Sequence, residues 1–169
     1  MEPVQQRRSF LGVLVGSISA VVGAMMAVPL FRFTAWPMFK KGGGADWFAL
    51  GPADSFKGDL PVRAEIEVRK VDGWRVSTAK QTVYVTRAGG ELKVLSAICS
   101  HLGCVVPFDE GQKQFVCPCH KGLFAIDGSR ISGPPPRGLD ALPTKIEGGK
   151  LYVQYQYFRQ LSAKKEVIG

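Results

Sequence analysis

The chain has 169 residues, 46% of them hydrophobic, and its 22 Lys and Arg against 14 Asp and Glu give a net charge of +8. This length suits one domain of ordinary size with some additional sequence. The basic residues are scattered, or grouped beside an apolar run and at the C-terminus, with no long basic block and no helix-turn-helix or RNA-recognition pattern. We therefore predict no nucleic-acid partner, and assign the charge to acidic lipid head groups or an acidic protein partner.

An uncharged apolar run near the N-terminus predicts a transmembrane anchor at residues 10–31. As a helix, this run extends about 33 Å, against about 30 Å for the hydrocarbon core of a bilayer. It is longer than the apolar region of a signal peptide, about 7–15 residues, although a cleavage site ending at Ala24 leaves removal open. Arg7 and Arg8, in the preceding segment 1–9, resemble a twin-arginine export signal and would also keep the N-terminus in the cytoplasm.

Two further segments carry no apolar periodicity. Residues 32–46 include three consecutive glycines, Gly42 to Gly44, and predict a flexible hinge between the anchor and the rest of the chain. Residues 160–169 form a polar extension past the last predicted strand, for which we expect a solvated chain end.

Short alternating runs separated by turn signals predict β-structure between these segments. Hairpin turns are predicted at Asp72-Gly73, at Gly89-Gly90 and at Gly148-Gly149, each between runs rich in Val, Ile, Tyr and Thr. No run beyond the anchor shows a sustained helical period. We therefore predict an all-β domain at residues 47–159, an antiparallel sandwich or barrel.

All four Cys and both His of the chain lie in two short boxes, CSHLGC at Cys99–Cys104 and CPCHKG at Cys117–Gly122. A structural zinc ion needs only four ligands, usually arranged in C-x2-C pairs, so it leaves two groups over. Two disulfides suit an exported domain but leave both His unexplained. A [2Fe–2S] cluster with two Cys on one iron and two His on the other needs four ligands and leaves two Cys to join the loops.

The two boxes resemble those of the Rieske iron–sulfur proteins, specifically the membrane-anchored subunit of cytochrome bc-type quinol–cytochrome c oxidoreductases, whose pattern is C-T-H-L-G-C followed by C-P-C-H-G-S. The match is close from Ser96 to Gly138 and extends more loosely to the anchor, the tether and the surrounding strands. It implies the Rieske fold: an antiparallel β-sandwich with a small cluster-binding subdomain at about residues 97–137, preceded by one transmembrane helix.

The resemblance also implies a role for each matched residue. The cluster ligands would be Cys99, His101, Cys117 and His120, the two His also making the proton-coupled contact with quinol. The disulfide would join Cys104 and Cys119. The cluster would be covered at its tip by Leu102, tuned by the residues at Gly122 and Phe124, and shielded on its third side by the proline loop, Gly133, Pro134, Pro135 and Pro136.

The function implied is electron transfer within a membrane complex. Such a subunit takes one electron from quinol bound in a cytochrome b-type subunit, moves on its hinge, and passes the electron to a c-type cytochrome. It acts as a redox subunit and is not catalytic in isolation. The alternative is the small Rieske subunit of a periplasmic oxidoreductase such as arsenite oxidase, against which the anchor, the hinge and the triple-proline loop speak. A cluster assembled before export suits the twin-arginine route, so we expect a single-pass protein of a bacterial cytoplasmic membrane with its β-domain on the outer side.

The second box departs from the high-potential members of the family, which carry Ser and Tyr where this chain has Gly122 and Phe124. Those hydroxyls donate hydrogen bonds to sulfur and stabilise the reduced cluster. Without them the potential should fall toward the lower part of the Rieske range, about −150 to +300 mV. We therefore predict a low-potential centre matched to menaquinol; Lys121, where the family usually has Gly, would offset part of the loss through its screened charge.

Overall fold

The computed structural model describes residues 3–35, 46–72, 75–88 and 90–168. The chain divides into two compact units, residues 1–43 and 44–169, which are described separately. Most of the predicted hinge, residues 36–45, lies outside the described residues, and its first part, through Thr34, is helical.

The first unit contains one helix, α1, from Pro3 to Thr34. Within the 28 residues from Arg7 to Thr34, an 18-residue window reaches a mean hydropathy of 2.2, and every side chain from Arg7 to Thr34 is exposed. A helix of 28 residues rises about 42 Å, against about 30 Å for the hydrocarbon core of a bilayer. The helix is therefore long and apolar enough to cross a membrane, and its exposed apolar surface requires lipid or another protein.

The second unit is built from three antiparallel sheets, with strand orders β1-β11-β10, β2-β3-β4-β9 and β5-β6-β7-β8. The strands are β1 (Trp47–Pro52), β2 (Val62–Asp72), β3 (Arg75–Ala88), β4 (Glu91–Ser96), β5 (Phe108–Asp109), β6 (Gln114–Val116), β7 (Leu123–Phe124), β8 (Arg130–Ser132), β9 (Ala141–Leu142), β10 (Thr144–Glu147) and β11 (Lys150–Gln154). A single 3-10 turn, Ala53–Ser55, follows β1 among the described residues. The predicted antiparallel β-architecture is confirmed.

The three predicted hairpins are present. Asp72 pairs with Arg75 at the end of β2–β3, and the turn residues between them lie outside the described residues. β3 and β4 pair up to Ala88 opposite Glu91. In the third hairpin, Gly148 and Gly149 have φ of +56° and +73°, the two successive positive values that a two-residue type I′ turn requires.

The middle sheet contributes to two hydrophobic cores because alternate residues of a strand point to opposite faces. On β3 and β4, Val83, Val85 and Val94 belong to a first core, and Tyr84 and Leu95 to a second. The first core also contains residues of β11, of β2 and of the segment after β11. The second core contains Cys99 and Cys117, and its other members are Ala97, Val106, Phe115, Phe124 and Leu139. The Cys-His boxes are therefore built onto the second core.

The prediction of a solvated C-terminal end is wrong for the backbone of this segment. The chain turns back on itself beyond Phe158, which pairs with Val167 across an antiparallel bridge. The amide of Arg159 donates to the carbonyl of Glu166 (2.9 Å), and that of Ile168 donates to the carbonyl of Tyr157 (2.9 Å). Most side chains of the segment remain exposed, so its polar composition gave no sign of these backbone contacts.

Candidate metal centre

The first Cys-His box is the tip of a hairpin that prolongs β4. Ile98 pairs with Val105, and beyond them the Cys99 amide donates to the carbonyl of Cys104 (2.8 Å). The Gly103 amide then donates back to the carbonyl of Cys99 (3.0 Å), with Gly103 at a φ of +74°. The ladder below the box holds both ends of a four-residue loop.

The second box repeats this backbone geometry at the tip of β6–β7. The Cys117 amide donates to the carbonyl of Gly122 (2.8 Å), and the Lys121 amide donates to the carbonyl of Cys117 (3.0 Å). Lys121 takes the place of the glycine and has a φ of +54°, a conformation that costs a non-glycine residue about 1–2 kcal/mol. Two hairpin tips of the same shape therefore present the Cys and His residues.

A disulfide joins the two tips, between Cys104 and Cys119, with their Cα atoms 6.7 Å apart. The bond is the one that the resemblance implies. The two cysteines are 15 residues apart, and closing a loop of that length stabilises a folded chain by about 3 kcal/mol. The tips are thus held together independently of any metal.

Cys99 and Cys117 are free and buried, with exposed fractions of 1% and 2%. Burial raises the pKa of the Cys99 thiol, the backbone amides of His101 and Leu102 act in the opposite direction by stabilising the thiolate, and the hydrogen-bonded Cys117 thiol raises it further. The sulfur of Cys117 also lies within 4.8 Å of both disulfide sulfurs, which have no thiolate to offer. Two thiolates side by side in an apolar core require a cation between them.

The two histidines, one from each tip, lie next to each other. The rings of His101 and His120 have centroids 4.9 Å apart and cross at 83°. His101 is half-buried and His120 exposed, while the Leu102 side chain is 54% exposed. The two tips thus bring together two sulfur and two imidazole donors, a set that fits either a tetrahedral zinc ion or a [2Fe–2S] cluster with mixed ligands.

Comparison with known families distinguishes these two cofactors. Residues 47–143, more than half of the chain, match the Rieske [2Fe-2S] domain. The chain belongs to the Rieske family. Its cofactor is therefore a [2Fe–2S] cluster, and the prediction made from the two boxes is confirmed.

Two relatives of this Rieske protein cover most of its length. It is 33% identical over 151 residues to the menaquinol:cytochrome c reductase iron-sulfur subunit of Bacillus subtilis, spanning 87% of this chain and 90% of that protein. It is 37% identical over 148 residues to the cytochrome b6-f complex iron-sulfur subunit of Chlorobaculum tepidum, spanning 88% and 75%. A solved plasma membrane Rieske protein from Synechocystis is 25% identical, with a TM-score of 0.45 over 64% of this chain and 99% of that one.

The proline loop of the Rieske domain lies against the second box. A Cβ placed on Gly122 would lie 2.6 Å from Cγ of Pro135, and one placed on Gly133 would lie 2.8 Å from Cα of Gly122. Pro135 is fully buried, whereas Pro134 and Pro136 are exposed. Phe124 is also fully buried, in the core that contains Cys99 and Cys117. The structure therefore places Leu102, Gly122, Phe124, Gly133 and Pro135 at or beside the two tips.

Sequence reasoning missed the residues that brace the first box from outside. Ser100, between two of the expected ligands, is 1% exposed, and its hydroxyl donates to the carbonyl of Arg137 (2.7 Å). The carbonyl of Ser100 accepts a hydrogen bond from the Leu161 amide (2.9 Å). The C-terminal segment is thus bound directly to the box.

Arg137 links the proline loop, the first box and the C-terminal segment. Its guanidinium pairs with both carboxylate oxygens of Asp140 (2.9 and 2.7 Å) and donates to the carbonyls of Arg159 and Ser162. The side chains of Arg137 and Asp140 are 11% and 6% exposed, and hydrogen bonding to Asp140 raises the pKa of Arg137. In the sequence, only the spacing of Arg137 and Asp140 indicated an ion pair. A single pair of opposite charges three residues apart does not predict a network that also includes the C-terminal segment.

Proposed function

We propose that this chain is the Rieske electron-transfer subunit of a membrane-bound quinol–cytochrome c reductase, that it accepts electrons from menaquinol, and that it passes them to a c-type cytochrome. The observation that carries the proposal is the pair of disulfide-linked tips with two buried thiols and two adjacent imidazoles. The relatives named for quinol or b6-f complexes span nearly the whole chain, which supports a subunit of that class.

Within this proposal, Cys99 and Cys117 would hold one iron and His101 and His120 would hold the other. The buried thiols suit the iron farther from solvent, and the less buried imidazoles suit the outer one. Replacing two thiolates by neutral imidazoles removes two negative charges, so a bound cluster of this type accepts an electron more easily than one with four cysteines.

The histidines give the site its access to quinol. Each imidazole has two ring nitrogens, and the one that is not bound to metal is left to exchange a hydrogen bond and a proton with a quinol hydroxyl. The exposed side chain of Leu102 follows His101 directly and offers an apolar surface for a cytochrome b-type subunit to cover. Proton and electron acceptance at one surface suits a donor that loses both.

The preference for menaquinol is inferred from what surrounds the thiols. Position 122 has no side chain, and the fully buried Phe124 has no hydroxyl. Neither residue can therefore donate a side-chain hydrogen bond to sulfur and stabilise the extra negative charge of the reduced state. A less stabilised reduced state means a lower potential, which suits a lower-potential quinol.

The N-terminal helix completes the proposal as a single-pass anchor in a bacterial cytoplasmic membrane. Arg7 and Arg8 at its start keep that end in the cytoplasm and serve as a twin-arginine export signal, which places the Rieske domain on the outer side. Of the predicted hinge, the part beyond the helix, residues 35–46, would let the Rieske domain move relative to the anchor. The relevant test is protease protection in intact spheroplasts: an N-terminal tag should be protected while the Rieske domain is accessible, and the reverse pattern would contradict the orientation.

A potentiometric EPR titration of the full-length protein in detergent tests the redox proposal. We expect two iron atoms per chain, a Rieske signal on reduction, and a midpoint in the lower part of the range of about −150 to +300 mV. Phe124→Tyr should raise the midpoint, and Phe115→Tyr, in the same core, is the control for simply burying a hydroxyl. A midpoint near the top of the range would refute the assignment to menaquinol, and bound zinc without iron would refute the ligand set.

Isolation of the tagged protein from its host membrane tests the assignment to a complex. A cytochrome b-type haem protein should copurify, together with a c-type cytochrome. Copurification of a molybdopterin-containing subunit instead would contradict the proposal and assign the chain to a periplasmic oxidoreductase.

A further inference from the structure

We propose that Gly122 and Pro135 form a matched steric pair that determines the potential of the cluster. The ring of Pro135 occupies the space that any side chain at position 122 would need, so a hydroxyl donor cannot be introduced there while Pro135 is present. This inference rests on the proposed low-potential function and identifies Pro135 as the residue that excludes the donor.

The contact between the two residues is too close to accommodate a side chain. A Cβ on Gly122 would lie 2.6 Å from Cγ and 3.0 Å from Cδ of Pro135. Carbon atoms at optimal separation are about 3.5–4.0 Å apart, and the pyrrolidine ring, closed onto its own backbone nitrogen, cannot rotate away. Pro135 is fully buried, so it has no free space into which it can retreat.

The backbone at position 122 does not itself require glycine. Of the glycines around the site, Gly103 and Gly133 have positive φ values of +74° and +96°, whereas Gly122 is not among the described residues with positive φ. An L-residue would therefore be unstrained at position 122 if the space were free. The packing of Pro135 alone accounts for the glycine.

The proline loop is held so that Pro135 cannot withdraw. A Cβ on Gly133 would lie 2.8 Å from Cα of Gly122 and 2.9 Å from the carbonyl oxygen of Lys121, so the start of the loop is in backbone contact with the second box. Arg130 donates from Nη2 to the carbonyl of Gly133 (2.6 Å). The loop and the box thus form a close-packed unit around the Gly122–Pro135 contact.

The excluded side chain would point toward a metal ligand. The same Cβ on Gly122 would lie 3.6 Å from Cβ of Cys117, so a serine side chain at position 122 would lie next to the Cys117 side chain. A hydrogen bond donated to the Cys117 sulfur favours the more negative, reduced state and raises the potential. Pro135 therefore prevents a single substitution at position 122 from changing the potential.

The test compares Gly122→Ser, Pro135→Ala and the double variant in the full-length holoprotein in detergent. Iron content, urea unfolding and midpoint potential are measured for each. Gly122→Ser alone should lose stability and iron, and adding Pro135→Ala should restore both. The double variant should also bind the electron at least tenfold more tightly than wild type, which is a rise of 59 mV for a one-electron couple. Pro134→Ala is the matched control: combined with Gly122→Ser, it should restore nothing.

Gly122→Ala with and without Pro135→Ala separates the steric effect from the hydroxyl. Gly122→Ala should destabilise the protein in urea, and this loss should disappear when Pro135 is also alanine. The Gly122→Ala, Pro135→Ala double variant should keep the wild-type potential. The inference is overturned if Gly122→Ser alone retains full iron and a raised potential, or if neither double variant is more stable than its Gly122 single variant. If wild type has a high midpoint, the menaquinol proposal fails. The steric pair is then still tested by urea unfolding, which shows whether Pro135→Ala removes the destabilisation caused by a side chain at position 122.

Discussion

The buried ion pair of Arg137 and Asp140 permits a quantitative prediction. Arg137→Met keeps much of the side-chain volume but leaves the Asp140 carboxylate, only 6% exposed, without a cation. It also removes the hydrogen bonds to the carbonyls of Arg159 and Ser162. Breaking a buried pair by removing one partner costs about 3–5 kcal/mol. We expect a loss in this range, which lowers the ratio of folded to unfolded protein by roughly a hundredfold to several thousandfold.

The assay is urea unfolding of the full-length holoprotein in detergent, with the apparent free energy taken from the midpoint and slope. Arg159→Met is the matched control, because it breaks the Arg159–Glu166 pair of the same segment, whose side chains are 63% and 47% exposed. Exposed pairs contribute about 0–1 kcal/mol. Arg137→Met combined with Asp140→Leu should recover most of the loss, since no charge is then left buried alone.

The reasoning is refuted if Arg137→Met costs no more than Arg159→Met, or if the double variant is as unstable as the single one. If Arg137→Met does cause the larger loss of stability, it should also affect how firmly the first box holds iron. Ser100 is bound to the carbonyl of Arg137 and to the Leu161 amide, so Arg137→Met should also speed the loss of iron from the first box. Arg159→Met should leave that rate unchanged.

Three further predictions concern the two tips and the turn beyond the second box. Lys121→Gly should stabilise the protein by about 1 kcal/mol, because it relieves a positive φ; Lys121→Ala should not, and a loss of urea stability with glycine would contradict the strain. Replacing both Cys104 and Cys119 by serine should cost about 3 kcal/mol of stability. Dithiothreitol should destabilise wild type, because it reduces the disulfide, and should have no effect on the unfolding of the double serine variant. Hydrogen bonds from the hydroxyl and amide of Ser129 lower the pKa of Asp127 below its ordinary value of 3.8. The stabilisation they give is complete above that value and is lost as the pH falls through the lowered pKa, so wild type should lose more stability than Asp127→Asn below about pH 4; parallel pH profiles would exclude this contribution.

Much of the fold could be predicted because its signals are local. The uncharged apolar run at residues 10–31 is enough to predict the helix α1. Paired glycines such as Gly148-Gly149 are enough to predict a hairpin turn. The strands were harder to delimit. Between the first two predicted turns the chain forms one long strand, β3, from Arg75 to Ala88, because pairing with β2 continues across its polar residues. Cross-strand hydrogen bonds, rather than local propensity, determined its length.

The candidate site was predictable in its residue types but not in its support. Cys, His and their spacing carry the chemistry of the cluster, and a family resemblance assigned the disulfide that the structure contains. The contact of Gly122 with Pro135 and the bond from Leu161 to Ser100 join residues far apart in sequence. No periodicity or turn signal reports such contacts, because they arise only after the elements have packed.

The amino-acid sequence by itself determined the donor set, since the sulfur and imidazole ligands that a mixed-ligand [2Fe–2S] cluster needs occur in this chain only within two short boxes. It also determined the apolar helix and the absence of two hydroxyl donors, because these are properties of the residues themselves. The tertiary structure alone decided why a donor is absent at position 122: the space beside the Cys117 side chain is filled by the ring of Pro135. It likewise decided that the polar C-terminal segment braces the first box, because backbone hydrogen bonds depend on where the chain passes and not on which side chains it carries.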